Sequence, residues 1–440
     1  MVIGWSRAGG PCALRGRHDR LGGDRRPDHT DGTRRNEYAD PVTGPGIWPN
    51  LPFARPSITE REKQAVLEVL DSGWLTTGQR AKLFEERFAA KVGARHAVAL
   101  NSATAALHLG LEALGVGPGD EVIVPTWTFA ASAEVVIYRG ARPVLVDIDR
   151  RTLNATPEGV LAAVTPKTRA VVAVHVGGLP VEIERLVAAL DPLGIAVVED
   201  AAHAFPSRVG GPNGRFAGTF GRVGAYSFYV TKTMTTAEGG MLVTDDDAIA
   251  GRARIMSLHG ISRDAWNRYA AGGSWYYEIE DAGYKYNMTD IAAALGLVQL
   301  DRSDELLAAR RTLAAAYTER LRPLAEAGLV ELPVDAVDGS HAWHLYIIRL
   351  VLDRLATNRA AVIEALKERG IGTSVHFIPL HLHPYYRQRW GYSSGDLPVA
   401  STEYPRAISL PIWPGMTPSD VDRVAGSLNE ILGATVRSRA

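Results

Sequence analysis

Seven of the 440 residues are lysine, so a reaction that needs an amine has few places to occur. Lys63, Lys82, Lys91 and Lys367 lie in charged helical company and read as solvated, and Lys167 sits in a Thr-Pro-Lys-Thr turn. Lys232 and Lys285 have surroundings that suggest a pocket. Lys232 stands out: it lies in Tyr226-Ser-Phe-Tyr-Val-Thr-Lys232-Thr-Met-Thr-Thr-Ala-Glu-Gly-Gly240, a Ser/Thr-rich turn between two apolar strands. Gly239 and Gly240 permit close backbone approach there. Apolar flanks depress an amine's pKa and suit it to carbonyl chemistry.

Two further groups complete a chemical pattern. Glu199-Asp200-Ala-Ala-His203 follows the apolar run Ile195–Val198. A carboxylate at the end of such a strand is rarely left unpaired, so Asp200 wants a cation to face. Asn101-Ser-Ala-Thr104 opens a helix after Val98–Leu100. Its free amides and positive dipole end suit a phosphate, although Ser and Thr are also ordinary helix caps. A phosphate seat, an Asp for a pyridinium nitrogen and a desolvated lysine are together the requirements of pyridoxal phosphate.

Other patterns carry less. Gly115-x-Gly117-x-Gly119 follows a helix, and Gly210-Gly211-x-x-Gly214 opens no apolar helix, so neither fits the strand–glycine–helix order of a dinucleotide site. His376, His381 and His383 lie in a Pro/Tyr-rich segment that ends at Tyr386. With no Asp or Glu ligand nearby, a metal cluster is disfavoured; substrate contact is the preferred reading and structural histidine the bland one. His341-x-x-His344 is open to either reading.

These residues need elements to position them. Thr59-Glu-Arg-Glu62 is a capping box that starts a helix closed by Gly73. Beyond it, Val98–Leu100, Val122–Val124, Val144–Val146, Val171–Val174 and Ile195–Val198 alternate with helical patterns, which implies an α/β fold with a largely parallel sheet. A long helical stretch over Ile291–Leu321 leads to a smaller C-terminal α+β unit with a strand at Tyr346–Leu350, a helix near Arg359–Arg369 and a last helix from Pro418. The expected division is 1–46 as a disordered extension, 47–300 as a large cofactor-binding domain and 301–440 as a small domain. Residues 1–46 hold Arg, Asp, Gly and Pro with hardly any aliphatic side chain, too polar for a core or a secretory signal.

In order along the chain, five segments resemble signatures of the DegT/DnrJ/EryC1/StrS family of PLP-dependent nucleotide-sugar aminotransferases. They are Asn101–His108, Pro125-Thr-Trp-Thr-Phe129-x-Ala-Ser, Glu199–His203, the Lys232 segment through Glu238-Gly-Gly, and Gly283-Tyr-Lys-Tyr-Asn287-Met-Thr-Asp290. The resemblance spans roughly residues 50 to 435. It implies an aspartate-aminotransferase-like (fold type I) homodimer. It further implies that Lys232 carries the cofactor and moves a proton, Asp200 pairs the pyridine nitrogen, and Phe129 stacks on the ring. His203 stands where many members have Gln, bonding the ring hydroxyl. Thr104 and Ser227 hold the phosphate, with the backbone around Ala103 and Ala105, and Asn287 reaches the neighbouring subunit's cofactor. His344, His376 and Tyr386 are placed beside the sugar. The implied reaction moves an amino group from L-glutamate to a keto-sugar, at C4 of a 4-keto-6-deoxyhexose on the pattern of Gly370–Tyr386 and Leu410–Met416, with TDP as the carrier expected from the arginine-heavy composition. Amination at C3, or a PLP-binding regulator without catalysis, are the rivals.

Composition excludes other classes. Lys+Arg total 48 against 49 Asp+Glu, a net charge of −1 that argues against nucleic-acid binding through bulk positive charge. No apolar run is long enough to cross a membrane. The lone cysteine, Cys12, cannot form an intrachain disulfide or a thiolate metal site, and a reducing cytoplasmic setting is expected.

Overall fold

In the computed structural model, residues 51–211, 213–261, 277–336 and 340–437 are described. The expectation for residues 1–46, and Cys12 with it, lies outside them. Thr59 starts helix α1 (Glu60–Ser72) with the expected capping box, Glu62 accepting a 2.8 Å bond from the Thr59 amide, and Gly73 ends it at φ 71°. Helix α2 (Gln79–Val92) follows.

The main sheet is built from β1 (His96–Leu100), β2 (Glu121–Pro125), β3 (Arg142–Val146), β4 (Thr168–Val174) and β5 (Ala196–Asp200). Two short strands, β6 (Arg208–Val209) and β7 (Arg215–Phe216), form a separate hairpin before β8 (Val223–Ser227) and β9 (Gly240–Thr244) complete the sheet. Its order is β1-β9-β8-β5-β4-β2-β3. Only β9 runs against its neighbours, so all six other strands end at the same edge. The strands are buried on both faces, as their unbroken Val/Ile runs require. Helices α3 (Ala103–Ala113), α4 (Ala131–Tyr138), α5 (Pro157–Ala162), α6 (Ile183–Leu190) and α7 (Asp247–Met256) connect and cover them.

The expected single helix over 291–321 is two helices, α8 (Asp290–Asp301) and α9 (Ser303–Glu326). Arg302 breaks them at φ −92°, ψ 0°, and this turn brings its guanidinium to the buried Glu62 carboxylate at 2.6 Å. α1 and α2 both pack on α8. A second, antiparallel sheet joins β10 (Val330–Glu331), β11 (Tyr346–Leu350) and β12 (Ala407–Leu410). Its core is shared with α9, α10 (Arg359–Glu368) and α13 (Pro418–Gly433). The His/Pro/Tyr segment is irregular, carrying a 3-10 turn at Leu380–Leu382 and then α11 (Pro384–Trp390) and α12 (Pro398–Glu403). Among the described residues no helix is long and apolar enough to cross a membrane.

Candidate active site

At the edge where the six strands end lies a cavity of about 450 Å³. Its walls are built largely by the segments that leave the strand ends, the usual ligand position of parallel α/β sheets. After β1, Ser102, Ala103 and Thr104 line it at the start of α3. Ser102 caps that helix, accepting a 3.1 Å bond from the Ala105 amide. The amides of Ala103 and Thr104, in the first turn, have no intrahelical partner by geometry. Ala105, also expected to help hold the phosphate, is buried and its amide is already used by the cap, which leaves the amides of Ala103 and Thr104 free at this end.

A Cβ at Gly240 would lie 2.3 Å from the Ser102 carbonyl carbon and 2.4 Å from the Ala103 nitrogen. Only glycine lets β9 begin this close to the helix start. The Ser/Thr content of the loop before it has a local cause as well. Thr235 Oγ1 donates to the Phe228 carbonyl at 3.0 Å, and Thr236 Oγ1 to the Glu238 carbonyl at 2.7 Å. Phe228 anchors the loop from below in an aromatic cluster with Phe84 and Phe88. Lys232 hangs from this tied loop into the cavity, with Ser227, Tyr229, Thr231 and Glu238.

Asp200 ends β5 and is 7% exposed. Its Oδ2 accepts from Ser132 at 2.7 Å and its Oδ1 from the Ala202 amide at 3.1 Å. Ser132 is held in turn by Thr128 at 2.7 Å. Burial pushes the Asp200 carboxyl up, opposed by these two bonds and by the charge of Lys232. Lys232 moves the other way: burial lowers its amine to about 8, with the Asp200 charge resisting and the Arg310 charge adding to the fall. The neighbouring Glu199 points to the opposite side of the strand. It accepts from the amides of Gly218, Phe220 and Gly221 at 2.6 to 2.8 Å and from His175 at 3.0 Å.

Three imidazoles face the lysine. His203 stacks on Phe377 at 5.6 Å and lies 4.5 Å from His344, and His376 completes the wall. Burial pushes all three below the ordinary histidine value, His376 to about 4, with the Lys232 charge contributing. His203 Nδ1 accepts from the Gly177 amide at 3.2 Å, and His376 Nδ1 bonds Ser409 at 2.9 Å. Phe129, 63% exposed, forms the rim opposite Phe377.

Lys232, Asp200, Ala103, Thr104, Phe129, His203, Ser227, His344 and His376 are thus brought together, and Asn287 and Tyr386 are not. Tyr386 is 4% exposed and stacks on Trp390 inside the core, because α11 turns it inward. Asn287 lies in a separate groove of about 920 Å³ beside Trp74 and Thr77, where its Nδ2 donates to Thr77 Oγ1 at 2.6 Å. The substrate reading of His381 is also corrected, since its two ring nitrogens bond Thr126 and Ser401 at 2.8 Å each. His341 is structural too: buried, it stacks on Trp343 and accepts from its amide. The sequence reading gave Ser132 no role, although it closes the Pro125–Ser132 signature; in the structure it lies in the first turn of α4 and Thr128 in the bend before it.

The arrangement fits pyridoxal phosphate. Unpaired amides and hydroxyls at a helix start suit its phosphate, a fixed carboxylate suits its ring nitrogen, and an amine of lowered pKa suits its aldehyde. Comparison with known proteins agrees. A model of the DegT/DnrJ/EryC1/StrS aminotransferase family matches residues 56–429. The chain is 48% identical over 383 residues to the spore coat polysaccharide biosynthesis protein SpsC of Bacillus subtilis (strain 168), covering 87% of this chain and 97% of SpsC. Spr1654 of Streptococcus pneumoniae, solved in its PLP-form, is 33% identical with a TM-score of 0.79, over 88% of this chain and 99% of that one. DesI, solved in the presence of its TDP-sugar product, is 35% identical with a TM-score of 0.76, over 87% and 93% of the two chains.

Proposed function

Because the chain belongs to the DegT/DnrJ/EryC1/StrS aminotransferase family, a family of PLP-dependent sugar aminotransferases, we propose that it moves the amino group of L-glutamate to C4 of a TDP-linked 4-keto-6-deoxyhexose. The observation that carries the transfer chemistry is the placement of Lys232 across one cavity from Asp200, beside the hydroxylated start of α3. Bound pyridoxal phosphate supplies a ring that stabilises negative charge on the carbon attached to the transferred nitrogen.

The chain's own groups do the rest. Thr104, Ser227 and the amides of Ala103 and Thr104 would hold the phosphate at the positive end of α3. Asp200, fixed by Ser132 and Ala202, would keep the ring nitrogen protonated. Lys232 takes a proton at Nζ from the donor in one half-reaction and returns one to the sugar carbon in the other; a value of about 8 leaves the amine able to do both near neutral pH. His344 and His376, neutral at that pH, would offer hydrogen bonds to the sugar hydroxyls and so decide which carbon faces the amine.

The TDP-sugar part of the reading draws on DesI, solved with such a product. We also infer a homodimer. Among the described residues lining the cavity, Lys232 is the one cation, while phosphate, nucleotide and donor all bring negative charge. Asn287, outside the cavity in the neighbouring groove, would contribute to a second copy's site.

The test is incubation of the loaded protein with glutamate and TDP-4-keto-6-deoxyglucose beside its 3-keto isomer. A 4-amino product, identified by its C4 proton coupling, is expected. Efficient amination of the 3-keto isomer alone would overturn the C4 assignment while leaving the aminotransferase in place.

A further inference from the structure

Arg310 on α9 is 2% exposed, and no ion pair is formed by it among the described residues. Its Nη1 donates to three carbonyls, Trp343 at 3.2 Å, His344 at 3.3 Å and Ile412 at 2.8 Å, while its Nε is buried without a partner. A buried cation without a counter-ion is costly, and a neutral residue of similar size would serve packing as well. The carbonyls it grips explain its presence. Trp343 adopts φ 50°, a strained conformation for a non-glycine residue. That bend delivers the next residue, His344, to the cavity wall, its ring 4.5 Å from His203 and its buried Nδ1 unpartnered.

We propose that Arg310 is a positioning residue of the transamination site, which clamps the Trp343–His344 backbone so that the His344 imidazole stands against His203 facing Lys232. The proposal rests on the reading of Lys232 as the reacting amine. The charge has a second use. The ionisable groups lining the cavity with Lys232 are Asp200 from β5, His203 from the turn after it, Tyr229 and Glu238 from its own loop, and His344 and His376 from the opposite wall. The histidines are neutral, so among the described residues Arg310 is the one fixed positive charge acting on the lysine, and it favours the neutral amine.

The experiment measures the donor half-reaction of the PLP-loaded enzyme by single-turnover absorbance with saturating L-glutamate, from pH 6 to 10, for wild type, Arg310→Lys and Arg310→Met. Arg310→Lys keeps the charge, but its side chain ends one bond short of the point where Nη1 meets the three carbonyls; its rate should fall about tenfold or more with the pH limb unmoved. In Arg310→Met the rate should fall as far and the limb should shift to higher pH. Should Arg310→Met not fold, Arg310→Lys decides alone. A rate within twofold of wild type in soluble, loaded Arg310→Lys overturns the proposal. So does an equal loss of melting temperature in both variants with rate and limb unchanged. Lack of any half-reaction in the wild type would instead sink the donor reading itself.

Discussion

The acidity of Lys232 can be tested before any substrate is known. Attachment of a carbonyl compound requires the neutral amine, so loading of the apo-protein with pyridoxal phosphate should follow the fraction of Lys232 without its proton. With the amine lowered to about 8, about one-eleventh is neutral at pH 7 and about ten-elevenths at pH 9. Stopped-flow absorbance of the bound cofactor should therefore show a loading rate that rises about tenfold over this interval and then levels. A lysine at its ordinary value would give about a hundredfold rise over the same interval and no plateau. The cause can be tested by Asp200→Asn. Asn can keep an acceptor toward the Ala202 amide and turn its NH2 toward Ser132, whose hydroxyl can accept, so the fold should survive. Loss of the carboxylate removes the charge that resists the fall of the lysine, so the plateau should begin at lower pH. A wild-type rate that climbs tenfold per pH unit through pH 9 would refute the desolvation argument. An inflection that moves upward in Asp200→Asn would refute the assignment of the opposing charge.

Other outcomes rest on single contacts. Lys232→Ala should fold, with a melting temperature near wild type, and lose the reducible lysine adduct; borohydride labelling of any other lysine would show the assignment to be wrong. Turnover of Asp200→Asn should be slower by two or more orders of magnitude, as for removal of a preorganised charge, with a smaller loss of cofactor affinity; near-normal turnover counts against the role. Glu199→Gln puts an NH2 group among three backbone donors and should cost about 3 kcal/mol, read as a lower melting temperature. Glu62 gives an acid-side test. Burial pushes its carboxyl up, but bonds from Thr59, Arg302 and Gln299 outweigh this and hold it at about 2. Its folded value lies below the unfolded one, so its contribution is present above about pH 4.5 and is lost as pH falls toward 2. Glu62→Gln should flatten stability against pH in that window, and an unchanged slope would contradict the shift.

What could be read from the sequence was local. The Thr59 cap, the apolar strands and the polar turn holding Lys232 each depend on neighbours within a few residues, and all appear in the structure. Asp200 is visible in the sequence because a carboxylate at the end of an apolar strand has no cation beside it in the chain. Its side-chain partner, Ser132, lies 68 positions away, and although Ser132 closes the Pro125–Ser132 signature nothing in the sequence ties it to Asp200. The same holds for Arg310, whose three carbonyls lie 33 to 102 positions along the chain. The histidines show the limit most plainly. Five of them in two short segments share similar company, yet His344 and His376 face the cavity while His341 and His381 are locked in packing. Their difference is set by the bend at Trp343 and by Thr126 and Ser401 on distant elements. Tyr386 was misjudged for a related reason: its helix turns it toward Trp390.

The single reversed strand explains how this site can both hold and move. If β9 ran with its neighbours, the connection from β8 would have to cross the sheet and begin at the far edge. Because it runs back, residues 228–239 return over the same edge as Asp200. The two facing groups therefore have different mechanical standing. Asp200 belongs to the strand floor, register-paired with Val174 and Ala225 and bonded at both oxygens. Lys232 belongs to a loop fixed at its ends by bonds between Phe228 and Gly239 and between Thr236 and Phe228, each 2.9 Å. Its backbone is held by the Tyr229 carbonyl at 2.9 Å, which leaves the four-carbon side chain as the part free to swing. The proposed proton transfer, by one amine between two atoms on the same face of a bound ligand, needs that division: one charge that stays, and one amine that reaches.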